Sequence, residues 1–168
     1  MLVQEILRRE GLDGLQRNIK TKRHPNYPNL VQFKYDQIES QMGDPVVQEC
    51  RGLILDERDN WAVVARPFDK FFNYGEGHAA EIDWDTAKVQ EKLDGSLIIL
   101  YNYDERWHVA TSGTPDAGGE VNGYGMTFSE LFQHAYLDAC FSTRRTISLG
   151  GLSNFAFLFE LTSKYNRI

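Results

Sequence analysis

The stretch Glu91-Lys92-Leu93-Asp94-Gly95-Ser96-Leu97-Ile98-Ile99-Leu100-Tyr101-Asn102-Tyr103 runs a lysine, a turn and a strand together. Asp94-Gly95 is a turn pair, and the apolar, β-branched run behind it fits a strand over Ser96–Tyr103. Ahead of the turn, Lys88–Lys92 predicts another strand, which would leave Lys92 at a strand end. A second turn at Asp104-Glu105 leads into a strand over Arg106–Thr111. Successive strands joined by short turns pair antiparallel.

The same reading extends in both directions. Leu2, Val3, Ile6 and Leu7 recur at helical spacing, and Gly11 is a plausible stop. Asn18 to Gln37 reads as strand, broken by a loop at His24-Pro25-Asn26-Tyr27-Pro28-Asn29. Gly52–Leu55 and Trp61–Ala65 suit two strands joined by a turn at Asp56–Asn60. Gly113–Gly125, glycine-rich and holding Pro115, predicts a mobile surface loop. Thr127 with Glu130 forms a capping box for a helix carrying Phe128, Leu131, Phe132, Ala135 and Leu137 to about Cys140. Phe155–Leu161 predicts the last strand. Many strands, few helices and no βαβ alternation give an α+β class with largely antiparallel sheets and flanking helices. We read residues 1–168 as one domain.

No apolar run approaches the roughly 20 residues that would span a bilayer, so no membrane partner is expected. Two cysteines, Cys50 and Cys140, make neither a disulfide framework nor a metal quartet, and a reducing cytoplasm is the expected location. The net charge of −6 argues against a protein that coats nucleic acid indiscriminately, since that needs a broad basic face. Local clusters exist at Lys20, Lys22, Arg23 and His24 and at Arg144 and Arg145; both read as solvated surface. His24, His78, His108 and His134 lack ligand spacing, and His78 reads as a loop histidine.

Lys92 is the residue that carries chemistry. A lysine at a strand end can act as a nucleophile once its amine is neutral, and a following Asp-Gly turn offers backbone amides to an anion. Gly95 lets the chain approach a ligand closely. Lys-x-Asp-Gly arises by chance about once in twenty or thirty chains of this length at average composition. Its neighbours therefore have to decide.

Lys92-Leu93-Asp94-Gly95-Ser96 resembles the nucleotidyl-lysine motif of the covalent nucleotidyltransferases, among them DNA ligases, RNA ligases and mRNA-capping enzymes. Glu49-Cys50-Arg51-Gly52-Leu53-Ile54 and Arg66-Pro67-Phe68-Asp69-Lys70-Phe71-Phe72-Asn73 resemble segments of the phage-type RNA ligase family, the tRNA-repair ligases of T-even phages and their relatives. Phe157-Leu158-Phe159-Glu160-Leu161 followed by Asn166-Arg167-Ile168 resembles the third nucleotidyltransferase motif of that family. The resemblance implies a nucleotidyltransferase adenylation fold, ATP and magnesium as cofactors, and RNA ends, of tRNA among others, as partners. If the gene is a phage's, the cytoplasm is the host cell's. It implies that Lys92 attacks the α-phosphorus of ATP. It also implies that Arg51 and Lys70 lie near the triphosphate, that Phe72 helps form the adenine pocket, that Gly95 admits the nucleotide and that Glu160 accepts from the ribose hydroxyls.

Two departures are informative. DNA ligases and capping enzymes usually carry an arginine five residues after the nucleophile; Leu97 stands there, which favours the RNA-ligase branch. Ala110-Thr111-Ser112-Gly113-Thr114 sits where relatives often supply another basic phosphate contact, and it has none. The resemblance also implies a fourth and a fifth motif beyond residue 168, so the expectation is a fragmentary adenylation domain, incomplete at its C-terminus. These 168 residues alone would then bind ATP weakly and adenylylate slowly or not at all. Three readings follow: an ATP-dependent RNA ligase acting through lysyl-AMP at Lys92, a non-catalytic nucleotide- or RNA-binding module derived from one, and a DNA or capping nucleotidyltransferase. The sequence leaves the self-association state open.

Overall fold

A computed structural model describes residues 1–143 and 149–166. The predicted basic pair Arg144 and Arg145 and the last two residues of the third motif, Arg167 and Ile168, lie outside the described residues. In chain order the elements are α1 (Leu2–Glu10), a short 3-10 turn (Leu12–Leu15), β1 (Ile19–Arg23), β2 (Leu30–Tyr35), α2 (Pro45–Glu49), β3 (Arg51–Asp56) and β4 (Ala62–Ala65). They continue with β5 (Ser96–Tyr103), β6 (Arg106–Thr111), α3 (Phe128–Thr143) and β7 (Phe157–Leu161). The strands form two antiparallel sheets, β1-β2-β3-β4 and β6-β5-β7.

Strand alternation builds the layers, because successive side chains point to opposite faces. Val31 and Phe33 of β2 and Leu53 and Leu55 of β3 pack with Val3 and Leu7 of α1 and Val46 of α2. Leu30 and Ile54 point the other way and meet Ile99 and Tyr101 of β5, closing one sheet on the other. On the far face of β5, Ile98 packs with Leu131 and Phe132 of α3 and with Leu161 of β7. The order is helices, sheet, sheet, helix. Strands buried on both sides need apolar residues at every position, which is why β3 and the start of β5 read as unbroken hydrophobic runs.

Three sequence expectations need correction. No strand forms over Lys88–Lys92; residues 79–95 are almost wholly exposed and lack a ladder partner. A charged pattern with a lysine at each end offers no buried face to pay the entropy of pairing. Gly113–Gly125 is tethered rather than loose: Ala117 and Val121 are fully buried, the Tyr101 hydroxyl donates to the Pro115 carbonyl at 2.8 Å, and the amides of Phe128 and Ser129 donate to Gly119 and Ala117. His24 is buried rather than solvated, with ring contacts to Tyr27 and His108.

Helix α2 escaped the sequence reading. Its start is nonetheless written there: the Asp44 carboxylate accepts from the Val46 amide at 2.9 Å, and Pro45 occupies the first turn. The Glu49 carboxylate at its end accepts from the amides of Leu2 and Val3 at 3.0 and 2.9 Å, placing a negative charge on the N-terminus of α1. The capping box forms as expected, with the Thr127 amide donating to Glu130 at 2.7 Å and the Glu130 amide to the Thr127 hydroxyl at 3.2 Å.

Candidate active site

Arg51 opens β3 beside a bulge. Phe33 pairs with Leu53 and Lys34 with Arg51, so Gly52 is the extra residue. Gly52 has φ +95°, and a Cβ there would lie 2.9 Å from Ser112 Cα, so only glycine lets β3 pass the end of β6. The Arg51 guanidinium carbon lies 4.6 Å above the Phe71 ring. Its Nη1 is buried and has no hydrogen-bond partner among the described residues. An unpartnered buried donor on a cation is costly, and an anion is the group that would satisfy it.

Lys70 and Phe72 lie on the exposed segment that leaves β4. The Lys70 amide donates to the Gln48 carbonyl at 3.0 Å, which ties that segment to α2, three residues ahead of Arg51. The Lys70 ammonium sits 5.1 Å from the Phe72 ring centre. Both residues line a groove of about 570 Å³ together with Tyr35, Gln37 and His78. The sequence reading favoured His78 as a plain loop residue over one near the pocket. Its ring stands 5.7 Å from Phe72 and covers Gly43, whose missing side chain makes the room. Asn73 donates to the Glu76 carboxylate through its amide and its side chain, and this turn holds the Glu76 pKa below the usual glutamate range.

Arg51, Lys70 and Phe72 are therefore gathered around one stretch, Lys70–Phe72. The other expected residues stand elsewhere. Lys92 is exposed, outside any strand, and lines neither that groove nor the next one. Glu160 is exposed on β7 and pairs in register with Leu97 of β5; alternation puts it on the same face as Leu158, while Phe159 and Leu161 turn to α3 and an apolar groove of about 540 Å³. Gly95 has a structural use that the sequence did not show: a Cβ there would collide with the Leu161 carbonyl at the end of β7. Behind it, the Asn166 side-chain amide donates to the Leu161 carbonyl at 2.6 Å and to the Ser96 hydroxyl at 3.1 Å. The third-motif asparagine thus clamps the strand that follows Lys92. Its spacing after β7 was legible; its partner was not.

A family model described as RNA ligase matches residues 49–168, which include Arg51, the Lys70–Phe72 stretch, Lys92 and Glu160. The chain belongs to the phage-type RNA ligase family. It is 36% identical over 180 aligned positions to a candidate bifunctional polynucleotide kinase/RNA ligase of Autographa californica nuclear polyhedrosis virus, an alignment covering 99% of this chain and 26% of the relative. It is 33% identical over 162 positions to an RNA ligase of Rhodothermus phage RM378, covering 79% of this chain and 34% of that one. The chain thus spans about a quarter to a third of the length of these relatives.

For this ligase-family chain, sequence reasoning passed over Lys34, Tyr35 and Gln37. Tyr35 and Gln37 border the Lys70–Phe72 groove on one side and a second, basic groove on the other. No motif marks them. The one available signal was parity: Lys34 interrupts a strand whose other residues are buried.

Proposed function

We propose that this chain supplies the nucleotide-binding end of an ATP-dependent RNA ligase. The Lys92 amine attacks the α-phosphorus of ATP, a nitrogen–phosphorus bond forms as the bond to the β-phosphate oxygen breaks, and pyrophosphate leaves. The AMP then passes to a 5′-phosphate on RNA, and a 3′-hydroxyl displaces it to seal the strand. Arg51 and Lys70 offset the charge that moves onto pyrophosphate, the kind of fixed electrostatic help whose loss costs roughly 100- to 1,000-fold in rate. Phe72 offers its ring to adenine, Gly95 keeps the backbone close and Glu160 accepts from the ribose hydroxyls. Magnesium comes with the nucleotide, whose phosphates supply its oxygens and whose charge it partly neutralises. Among the described residues no group of three His, Cys, Asp or Glu could hold a metal ion.

The observation that carries this reading is the Arg51 guanidinium: half-buried, laid on Phe71, and with one buried nitrogen that lacks a hydrogen-bond partner among the described residues. A phosphate oxygen is an acceptor of the right charge for it. The test is incubation of the chain with α-labelled ATP and magnesium, followed by denaturation. The expected result is slow build-up of an acid-labile AMP adduct that Lys92→Ala abolishes completely. An adduct that persists in Lys92→Ala would remove Lys92 as the nucleophile.

A second reading, a nucleotide- or RNA-binding module without chemistry, is favoured by the exposure of Lys92 outside the groove that Lys70 and Phe72 line. ATP binding with no adduct in either protein would select it.

A further inference from the structure

Three cations stand in line across the first sheet. Lys20 of β1 pairs in register with Lys34 of β2, and Lys34 pairs with Arg51 of β3. At strand spacing this ladder is about 10 Å across. Like charges directly opposite one another destabilise a sheet, so such a row needs a compensating anion. Asp36 supplies one to Lys20, at 2.5 Å. Among the described residues Lys34 has no ion pair and Arg51 Nη1 has no hydrogen-bond partner. Burial, and then repulsion from Lys22 and Lys20, lower the Lys34 pKa from its ordinary value.

Lys20 and Lys34 of this row line a groove of about 550 Å³ together with Lys22, Asp36, Thr111, Gly113 and Thr114, while Arg51 stands outside it. The ammonium of Lys34 would lie 3.3 Å from a Cβ at Gly113, so the missing side chain there leaves Lys34 room to extend along β6. Residues 110–114 carry no cation of their own, and Lys34 brings one to them from the neighbouring sheet. Tyr35 and Gln37 border both this groove and the one holding Lys70 and Phe72, so the two grooves adjoin. In a chain of net charge −6, this local basic face is selective rather than a general coat.

We propose that Lys34, flanked by Lys22 and Lys20, forms a phosphate-binding groove that extends the Arg51 and Lys70 site and receives phosphate oxyanions of the ligation substrates. This rests on the RNA-ligase reading for the identity of those substrates. Two sources share the chemistry: the outer phosphates of ATP, and the 5′-phosphorylated end of an RNA strand.

Binding by the full chain is measured at about 50 mM salt, where phosphate contacts are strong. The probes are inorganic triphosphate, a 5′-phosphorylated oligoribonucleotide and the same oligonucleotide with a 5′-hydroxyl. Lys34→Met should weaken at least one phosphate-bearing probe about tenfold and reduce its salt slope by about one. Lys34→Arg should retain binding, and Arg9→Gln, on an exposed face of α1, should change nothing. A loss confined to triphosphate names ATP as the source; a loss confined to the 5′-phosphorylated strand names RNA; a loss of both supports a shared groove.

Equal affinities for wild type and Lys34→Met with every probe would overturn the proposal. So would equal losses in Lys34→Arg, or no binding by the wild type to any probe. Melting of Lys34→Met separates charge from fold, since removing a crowded, half-buried cation should leave the midpoint unchanged or raise it. The readout is binding rather than adduct. Absence of lysyl-AMP in the wild type would thus count against the ligase chemistry and leave this groove standing.

Discussion

Residues 30–65 and residues 67–95 are of similar length and lie next to each other in the chain, yet they are built on opposite terms. The first holds β2, α2, β3 and β4, with Leu30, Phe33, Leu53, Ile54 and Leu55 fully buried. The second holds no strand or helix, and half of the exposed large apolar residues of the described chain fall in it, from Phe68 to Leu93. It is tied down at few points, chiefly the Lys70 amide on Gln48 and the His78 ring on Gly43. Four of the residues proposed for nucleotide chemistry, Lys70, Phe72, Lys92 and Gly95, belong to this second region; Arg51 belongs to the first. On the proposed function, framework and chemistry are separated along the chain, as expected where a rigid scaffold carries a reactive segment whose free energy of opening is small.

Four substitutions sharpen or break that contrast. The largest effect should come from Phe33→Ala, which empties a site packed on Trp61 between α1 and the first sheet; a loss of about 3–5 kcal/mol is expected in urea unfolding. Gly52→Ala should cost about 1–3 kcal/mol in the same measurement, because it adds both an unfavourable φ and a clash with Ser112. A neutral result there would mean that the two sheets are less closely joined than the structure shows.

The third concerns acid. Burial, helped by the nearby His108, lowers the His24 pKa, and its Nδ1 accepts from the amides of Asn26 and Tyr27 at 3.1 and 3.2 Å. The unfolded chain then binds the proton more readily, so stability is full above the unfolded value of 6.5 and falls as pH drops through it. Melting midpoints from about pH 7 to pH 5 should decline, and His24→Leu should flatten that slope. The smallest effect should be Val89→Ser, within about 0.5 kcal/mol of zero, since Val89 is 94% exposed. A cost well above that would place the second region in a packed environment and end the contrast. Amide exchange offers an independent view: slow across Leu30–Tyr35, fast from residue 79 to residue 92.

Much of the framework was legible before any coordinates. Period-two runs and Gly, Asp and Asn turns gave β2 to β6 nearly to the residue, including the hairpin at Asp104-Glu105, where both residues adopt positive φ. The Thr127–Glu130 capping box gave the start of α3. The expected strand over Lys88–Lys92 failed because alternation there lacks a face to bury. The tethering of residues 113–125 was invisible because glycine content says where a chain can turn and nothing about what will hold it.

The motifs marked the residues proposed to meet a nucleotide: a lysine before an Asp-Gly turn, an arginine at a strand start, a lysine beside two phenylalanines. Those are local facts, fixed by neighbours a few positions away. Only the tertiary structure decided that Lys20, Lys34 and Arg51 would form one row and that Gly95 and Asn166 would lock onto the end of β7. Strand register and sheet stacking set those neighbours, and they depend on residues far apart in the chain meeting across a shared apolar core.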